Sequence, residues 1–367
     1  MKILICPLDW GIGHATRCVP VIQKFIELGD EVVIVADGRP YEFLRIEFPG
    51  CRIIRLRGIK ITYTKRTDLL IKIMTLIPAF IRGYYREHKD LDHLIKLERP
   101  DIIISDNRYG LWNKKLYSIL ITHQLNIMIP RSLRVLSPFI NRFIYHWIER
   151  FNECWIPDFE LHKGLAGSLS HPEVLPKNSH YIGTLSRFSN LTTKWEMPQI
   201  IDYDIVVSLS GPEPQRTIFE EKIFEQVKGT GLSGIILRGF TEKKEEWDLT
   251  DKIRVYSHLE TSKIREIMRR THLVICRSGY SSLMDLVTMG INAILVPTPG
   301  QTEQEYLARY LLEKKIYFSM SQEHFDLLYA IEMSRNFHGF VLQNDYKALS
   351  ERISEIKARI STLRDEL

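Results

Sequence analysis

A histidine placed directly behind two glycines at the start of a helix can take the proton from an attacking hydroxyl. His14 has this setting, in the run Asp9-Trp10-Gly11-Ile12-Gly13-His14-Ala15-Thr16-Arg17. Positioned bases contribute about 10²–10⁴ in rate. Gly11 and Gly13 let backbone approach a ligand, and the helix start that follows favours an anion by about 0.3–1 kcal/mol. The spacing is not the dinucleotide pattern G-x-G-x-x-G, because Thr16 stands at its third glycine. A base histidine needs an orienting group, and Asp106, just after the apolar run 101–105, can accept a bond from the imidazole. Plainer readings remain open: His14 packs or caps its helix, and Asp106 caps the turn Asn107-Arg108-Tyr109-Gly110. The polar cluster Thr122-His123-Gln124-Leu125-Asn126 either lines an acceptor site or satisfies loop backbone.

A second set of residues suits phosphate and sugar. The apolar run 204–208 leads into Leu209-Ser210-Gly211-Pro212, a small-residue turn before a helix. The run Cys276-Arg277-Ser278-Gly279-Tyr280 is the stronger signal. With Ser278 as N-cap, the amides of Gly279 and Tyr280 face a diphosphate. Asp285, two turns along, either accepts from vicinal ribose hydroxyls or is a solvated helix residue. Gln304 and Glu305 open a later helix with groups suited to sugar hydroxyls, or are the usual polar first turn.

These residues need a scaffold that sets strand ends side by side. Apolar runs at 2–6, 31–36, 101–105 and 118–123, then at 204–208, 233–238, 272–276 and 292–297, alternate with helical patterns. Continuous apolar strands between helices imply an α/β chain of two doubly wound, Rossmann-like parallel sheets, with ligands beyond the strands' carboxyl ends. The expected domains are 1–187 for the acceptor, a linker 188–202, 203–344 for the nucleotide-sugar, and a terminal helix 345–367. A length of 367 residues fits two domains, and a net charge of +5 is far below that of a dedicated nucleic-acid binder. Five cysteines without a C-x-x-C pair argue against a disulfide framework or zinc site and suit a reducing, cytoplasmic compartment. No signal peptide is read at the start, and 69–85, the most apolar stretch, is interrupted by Lys72, Pro78 and Arg82.

The second half resembles the C-terminal domain of GT-B glycosyltransferases, in the branch of the lipid-II-forming N-acetylglucosaminyltransferase (the family 28 type). The resemblance rests on Cys276-Arg277-Ser278-Gly279, Asp285, Gly290, Ala293, Val296-Pro297, Gln304, Glu305 and Tyr306. It implies two domains facing across a cleft, Asp285 on ribose, and Gln304 and Glu305 on the donor sugar, where the family has two glutamines. Gly183-Thr184-Leu185-Ser186-Arg187 resembles the segment whose arginine lies near the donor phosphates. His258-Leu259 resembles the pair that meets the nucleobase, and Ser208–Gly211 loosely resembles a glycine-rich phosphate turn. His123 and Asn126 resemble the acceptor side's H-x-x-N. The loop G-I-G-H-A-T-R is similar to the G-x-G-H-x-x-R of nucleotide-sugar enzymes, among them the hydrolase of pseudaminic acid synthesis. An N-terminal His–Asp base, as in many GT-B transferases, implies His14 and Asp106.

The expected activity is inverting, metal-independent transfer of a hexose or N-acetylhexosamine from a nucleotide diphosphate sugar, UDP-sugar foremost, to a hydroxyl. Ser210, Gly211, Arg187, Arg277, Ser278, Gly279 and Tyr280 take the phosphates, and Gly11, Gly13, His123, Gln124 and Asn126 lie on the acceptor side. No cofactor is expected, since the nucleotide-sugar is a substrate. The D-x-D spacings Asp90-Leu91-Asp92 and Asp202-Tyr203-Asp204 fall off the expected cleft. Basic, apolar segments at 59–85 and 131–151 suit an anionic membrane face and a lipid-linked acceptor, or are ordinary amphipathic helices. A nucleotide-sugar hydrolase and a non-catalytic nucleotide-sugar binder are the competing readings.

Overall fold

The computed structural model describes residues 1–58, 69–126, 137–189, 201–241, 244–340 and 347–365. The chain divides into two compact units, Met1–Leu185 with Asn344–Leu367, and Ser186–Gln343. Ser186 and Arg187, expected in the first domain, belong to the second unit because both contact Asp285 there. The terminal helix, expected to stand apart, belongs to the first. Most of the linker, 190–200, lies outside the described residues, as do 59–68 and 131–136 of the two basic segments.

In the first unit the strands are β1 (Lys2–Cys6), β2 (Glu31–Ala36), β3 (Arg52–Arg55), β4 (Ile102–Asp106), β5 (Tyr117–Ile121), β6 (Glu153–Ile156) and β7 (Ser179–Tyr181). They form one sheet in the order β3-β2-β1-β4-β5-β6-β7, with every pairing parallel. The continuous apolar runs are the cause: β1, β2 and β4 are buried along nearly their whole length, as strands covered on both faces must be. The crossovers include α1 (Ile12–Glu27), α2 (Gly38–Glu47), α3 (Leu69–Glu98) and α4 (Ser137–Ile148). Helix α1 buries Ala15, Cys18, Val19, Ile22 and Phe25, an i, i+3, i+4, i+7 stripe. Val19, Ile22 and Phe25 each contribute up to about 1.5–3 kcal/mol on burial.

The second unit repeats the plan with β8 (Tyr203–Ser208), β9 (Gly234–Leu237), β10 (Glu246–Asp248), β11 (Ile253–Tyr256), β12 (Thr271–Cys276), β13 (Ala293–Leu295) and β14 (Phe318–Ser319). The order is β10-β11-β9-β8-β12-β13-β14, and only the edge strand β10 runs antiparallel. Its helices are α5 (Gln215–Val227), α6 (Thr261–Arg269), α7 (Tyr280–Met289), α8 (Thr302–Glu313) and α9 (Leu327–Ser334). The core gathers Ile205, Val207, Phe219, Ile223, Val255 and Ile275 between the sheet and these helices.

The last helix, α10 (Ala348–Asp365), turns Leu349, Ile353, Ile356 and Ile360 inward. Arg352 donates to both oxygens of Glu153 at 2.9 and 2.5 Å, and Lys357 donates to Asp30 at 2.5 Å. Among the described residues, no helix is long and apolar enough to cross a membrane.

Both sheets reverse their direction of winding at one point, between β1 and β4 in the first unit and between β8 and β12 in the second. Ligands of doubly wound sheets bind at such switch points, beyond the strands' carboxyl ends. His14 and Asp106 flank the first. The turns at Ser210–Gly211 and Ser278–Gly279 flank the second.

Candidate active site

In the first unit, Gly11 precedes α1 at φ 121°, a conformation that favours glycine, and so aims the first turn of the helix across the end of β4. His14 Nδ1 lies 2.9 Å from Asp106 Oδ1. An ionised carboxylate only accepts, so Nδ1 carries the ring proton and Nε2 keeps its lone pair. Asp106 is fully buried, whereas 18% of the His14 side chain remains exposed.

A third group completes the arrangement. Arg17 Nε donates to Asp106 Oδ2 at 2.5 Å and its Nη2 to Oδ1, while Nη1 donates to His123 Nδ1 at 3.2 Å. Cys18 Sγ donates to Oδ2 at 3.6 Å. Burial lowers the His14 pKa, the Arg17 charge lowers it further, and Asp106 opposes both. For Asp106, burial works upward, but the Arg17 charge, His14 and the hydrogen bonds from both hold the carboxyl below its usual range. The net arrangement is an imidazole oriented through Nδ1 by an ionised carboxylate, with its pKa lowered, which favours the neutral ring and leaves Nε2 with its lone pair. Arg17 was read in the sequence only as the last residue of G-I-G-H-A-T-R, without a role. Its signal was the i+3 spacing from His14, which puts both side chains on one helix face.

The acceptor-side residues are placed unequally. Gly13 lies in the first turn of α1, and its carbonyl accepts from Thr16 Oγ1 at 2.9 Å. His123 is buried and turned onto Arg17. The Asn126 side-chain oxygen accepts from Asn141 Nδ2 at 2.8 Å, and its amide donates to Leu169 O. Gln124 is half-buried, with its amide on Thr122 Oγ1 at 3.2 Å. A small cavity beside this sheet end is walled by Trp10, Tyr84, Glu87 and Arg108. There Arg108 Nε donates to Glu87 at 2.9 Å.

In the second unit the strand ends present backbone. Ser210 is exposed, and Gly211 adopts φ 104°. A Cβ at Gly211 would stand 3.2 Å from Thr298 Oγ1 and 3.9 Å from Arg277 Nε. Both of those atoms are buried and lack a hydrogen-bond partner. Gly279, not Ser278, is the N-cap of α7, because Ser278 Oγ is committed to the carbonyl of Gln304 at 2.8 Å. Arg277, expected on the phosphates, is 1% exposed. Its Nη atoms donate to Val296 O, Pro297 O, Gln215 O and Gln322 Oε1, and its plane stacks on Phe219. It ties strand ends together beneath the turn, and burial lowers its pKa to about 10.

Asp285 is buried, not solvated. Oδ1 accepts from Ser186 Oγ at 2.6 Å, and Oδ2 lies 3.4 Å from Arg187 Nε. Burial raises its pKa, against the Arg187 charge and the Ser186 hydrogen bond. Gln304 Oε1 accepts from Thr298 N at 2.8 Å, and exposed Glu305 accepts from Gly300 N at 2.9 Å. His258 and Leu259 follow β11 on the same sheet edge. The D-x-D residues Asp202 and Asp204 sit at the opposite end of β8, bound to Arg270 and Ser233. Among the described residues, no group of three or more His, Cys, Asp or Glu is arranged to hold a metal ion.

Residues 238–352 match the glycosyltransferase family 28 C-terminal domain, and residues 1–124 match glycosyl transferase family 1. An uncharacterized glycosyltransferase of Methanosarcina acetivorans is 24% identical over 335 residues, 85% of this chain and 81% of that protein. The crystal structure of CalG4, the calicheamicin glycosyltransferase, superposes with a TM-score of 0.65 at 10% identity, covering 98% of each chain. Spinosyn rhamnosyltransferase SpnG complexed with thymidine diphosphate gives 0.60 at 15% identity, covering 100% of this chain and 99% of that one. With two doubly wound parallel sheets and glycosyltransferase matches in both units, the chain is a glycosyltransferase of the GT-B fold, similar over residues 238–352 to the family 28 C-terminal domain.

Proposed function

We propose that this glycosyltransferase moves a hexosyl or N-acetylhexosaminyl group from a nucleotide diphosphate sugar, UDP-sugar foremost, to a hydroxyl acceptor with inversion. One observation carries the reading: His14 Nδ1 lies 2.9 Å from the Asp106 carboxylate, which leaves Nε2 as the base, while burial and the Arg17 charge lower the ring's pKa. The acceptor oxygen attacks the anomeric carbon and its proton passes to Nε2. The bond from that carbon to the diphosphate oxygen breaks, and the nucleoside diphosphate leaves with the electron pair.

The second unit holds the donor. The Ser210–Gly211 turn and the start of α7 at Gly279–Tyr280 face the diphosphate, where first-turn amides and the helix dipole offset developing charge. Arg187 adds a positive charge beside them. Asp285 meets the ribose by exchanging its bond from Ser186, His258 and Leu259 meet the base, and Gln304 and Glu305 meet the sugar. Gly11, Gly13 and Gln124 border the acceptor. The reaction runs without a cofactor or metal.

The basic character of 59–85 and 131–151 supports a lipid-linked acceptor, in cell-envelope polysaccharide synthesis, at the cytoplasmic face of an anionic membrane. The test incubates pure protein with UDP-, TDP- and GDP-sugars, with and without lipid extract, and follows nucleoside diphosphate release. Release that depends on the extract is the expected result. Rapid release of free sugar from donor alone would instead identify a hydrolase. A thermal shift with a nucleoside diphosphate is expected through mass action, and its absence across the panel counts against the donor site.

A further inference from the structure

We propose that Arg17 is a positioning residue for the His14 base: by gripping both oxygens of Asp106 it fixes the carboxylate under His14 and cancels its charge. The inference deepens the reading of His14 as the base and rests on it for its meaning, though not for its measurement. Arg17 is 1% exposed and Asp106 is fully buried, so solvent screens their contact little. Its Nε and Nη2 take one carboxylate oxygen each, the fork geometry that only arginine offers. Nη1 spans to His123 Nδ1, which fixes the guanidinium plane from the far side.

Among the described residues, the titratable groups of this network can be named by element. From α1 come Arg17 and Cys18, from the end of β4 comes Asp106, and from the loop after β5 comes His123. Tyr109, in the turn after β4, interacts with the same Arg17–Asp106 pair. Asp106 alone would favour the charged imidazole, against the burial that disfavours it. Arg17 acts with burial against that pull, so the ring keeps the orienting hydrogen bond while its pKa is held down. The carboxylate supplies direction and the guanidinium sets availability, two roles that an isolated His–Asp pair cannot separate.

The test follows the His14 ring signal by NMR in full-length protein carrying ring-¹³C histidine, assigned by its loss in His14→Gln. Removing the charge in Arg17→Gln is expected to move the His14 titration midpoint to higher pH. The acid limb of any measured kcat/KM moves the same way, because more histidine is protonated at a given pH. Arg17→Lys keeps the charge but not the fork, so its midpoint stays near that of the parent while kcat falls at unchanged KM. Asp106→Asn is expected to lower the midpoint. An unmoved or lowered midpoint in folded Arg17→Gln overturns the proposal. If that variant does not fold, a midpoint in Arg17→Lys displaced upward overturns it equally. Midpoints that move as expected in a protein that transfers no sugar leave this inference standing and remove the proposed function instead.

Discussion

The two switch points of this molecule are built from different materials. At the first, titratable side chains converge: His14, Asp106 and Arg17 lie in one network, two of them buried. At the second, backbone turns at Gly211 and Gly279 occupy the strand ends. There the charged side chains expected to meet ligand are bound to protein, Arg277 to four oxygens and Asp285 to Ser186 and Arg187. A site that moves a proton needs a titratable group in a tuned environment, whereas a site that holds a pyrophosphate can use helix starts and amides. The first should therefore fail when a side chain is removed, and the second when atoms are added to its backbone.

The largest expected effect is at His14. His14→Gln should reduce transfer by about 10²–10⁴ while leaving nucleotide affinity intact. Because burial and Arg17 lower its pKa, the parent's kcat/KM should rise with pH along a limb lying below the ordinary histidine value of about 6.5. Steady-state rates over a pH series check both points. A limb above that value, or full activity in His14→Gln, breaks the contrast at its first term.

Arg277 comes next, with the opposite signature. Arg277→Met strips the partners from the carbonyls of Val296, Pro297 and Gln215, at a cost of about 1–3 kcal/mol for a buried acceptor left unmade. Urea unfolding should show that loss, and nucleotide affinity in the surviving folded fraction should change little. A large loss of affinity without a loss of stability would return Arg277 to the phosphates. At Gly211 the reverse holds: Gly211→Ala places a Cβ 3.2 Å from Thr298 Oγ1 at φ 104°, a strained position costing about 1–3 kcal/mol. Calorimetric titration with a nucleoside diphosphate should show weaker binding, since the turn must shift.

How much of this was legible follows from the same contrast. The strands 2–6 and 31–36 were readable to the residue because parallel strands buried on both faces are unbroken apolar runs. His14 and Asp106 were readable as a pair because both follow the carboxyl ends of apolar strands that could be neighbours, as β1 and β4 are. Arg17 was visible in the same motif but without a role, because the i+3 spacing shows a shared helix face and not that both side chains reach one carboxylate. Ser278 was misread as the N-cap because its hydroxyl partner, the Gln304 carbonyl, lies 26 residues away and across a strand. The return of α10 to the first unit was equally hidden: its stripe of Leu349, Ile353, Ile356 and Ile360 announces a buried face but not which sheet it covers.

The smallest effect concerns Asp285, and its sign is the informative part. Burial raises the pKa of this carboxyl in the folded state. At pH values between the unfolded carboxylate value of about 3.9 and that raised value, the native state binds more protons than the unfolded one. Stability contributed at this position is therefore full at low pH and is lost as pH rises through that window. Asp285→Asn keeps an oxygen for the Ser186 hydroxyl but cannot ionise, so its stability should lack this decline. Across the window, the free energy of unfolding of the parent should fall relative to that of the variant, by up to about 1.4 kcal/mol for each step of one in pH. Urea unfolding of both proteins over a pH series from 4 upward checks the sign. A difference that instead grows in the parent's favour with pH would mean that Arg187 compensates the buried charge in full. Asp285 would then belong with the ion pairs of the first unit, and the contrast between the two switch points would narrow to their glycines.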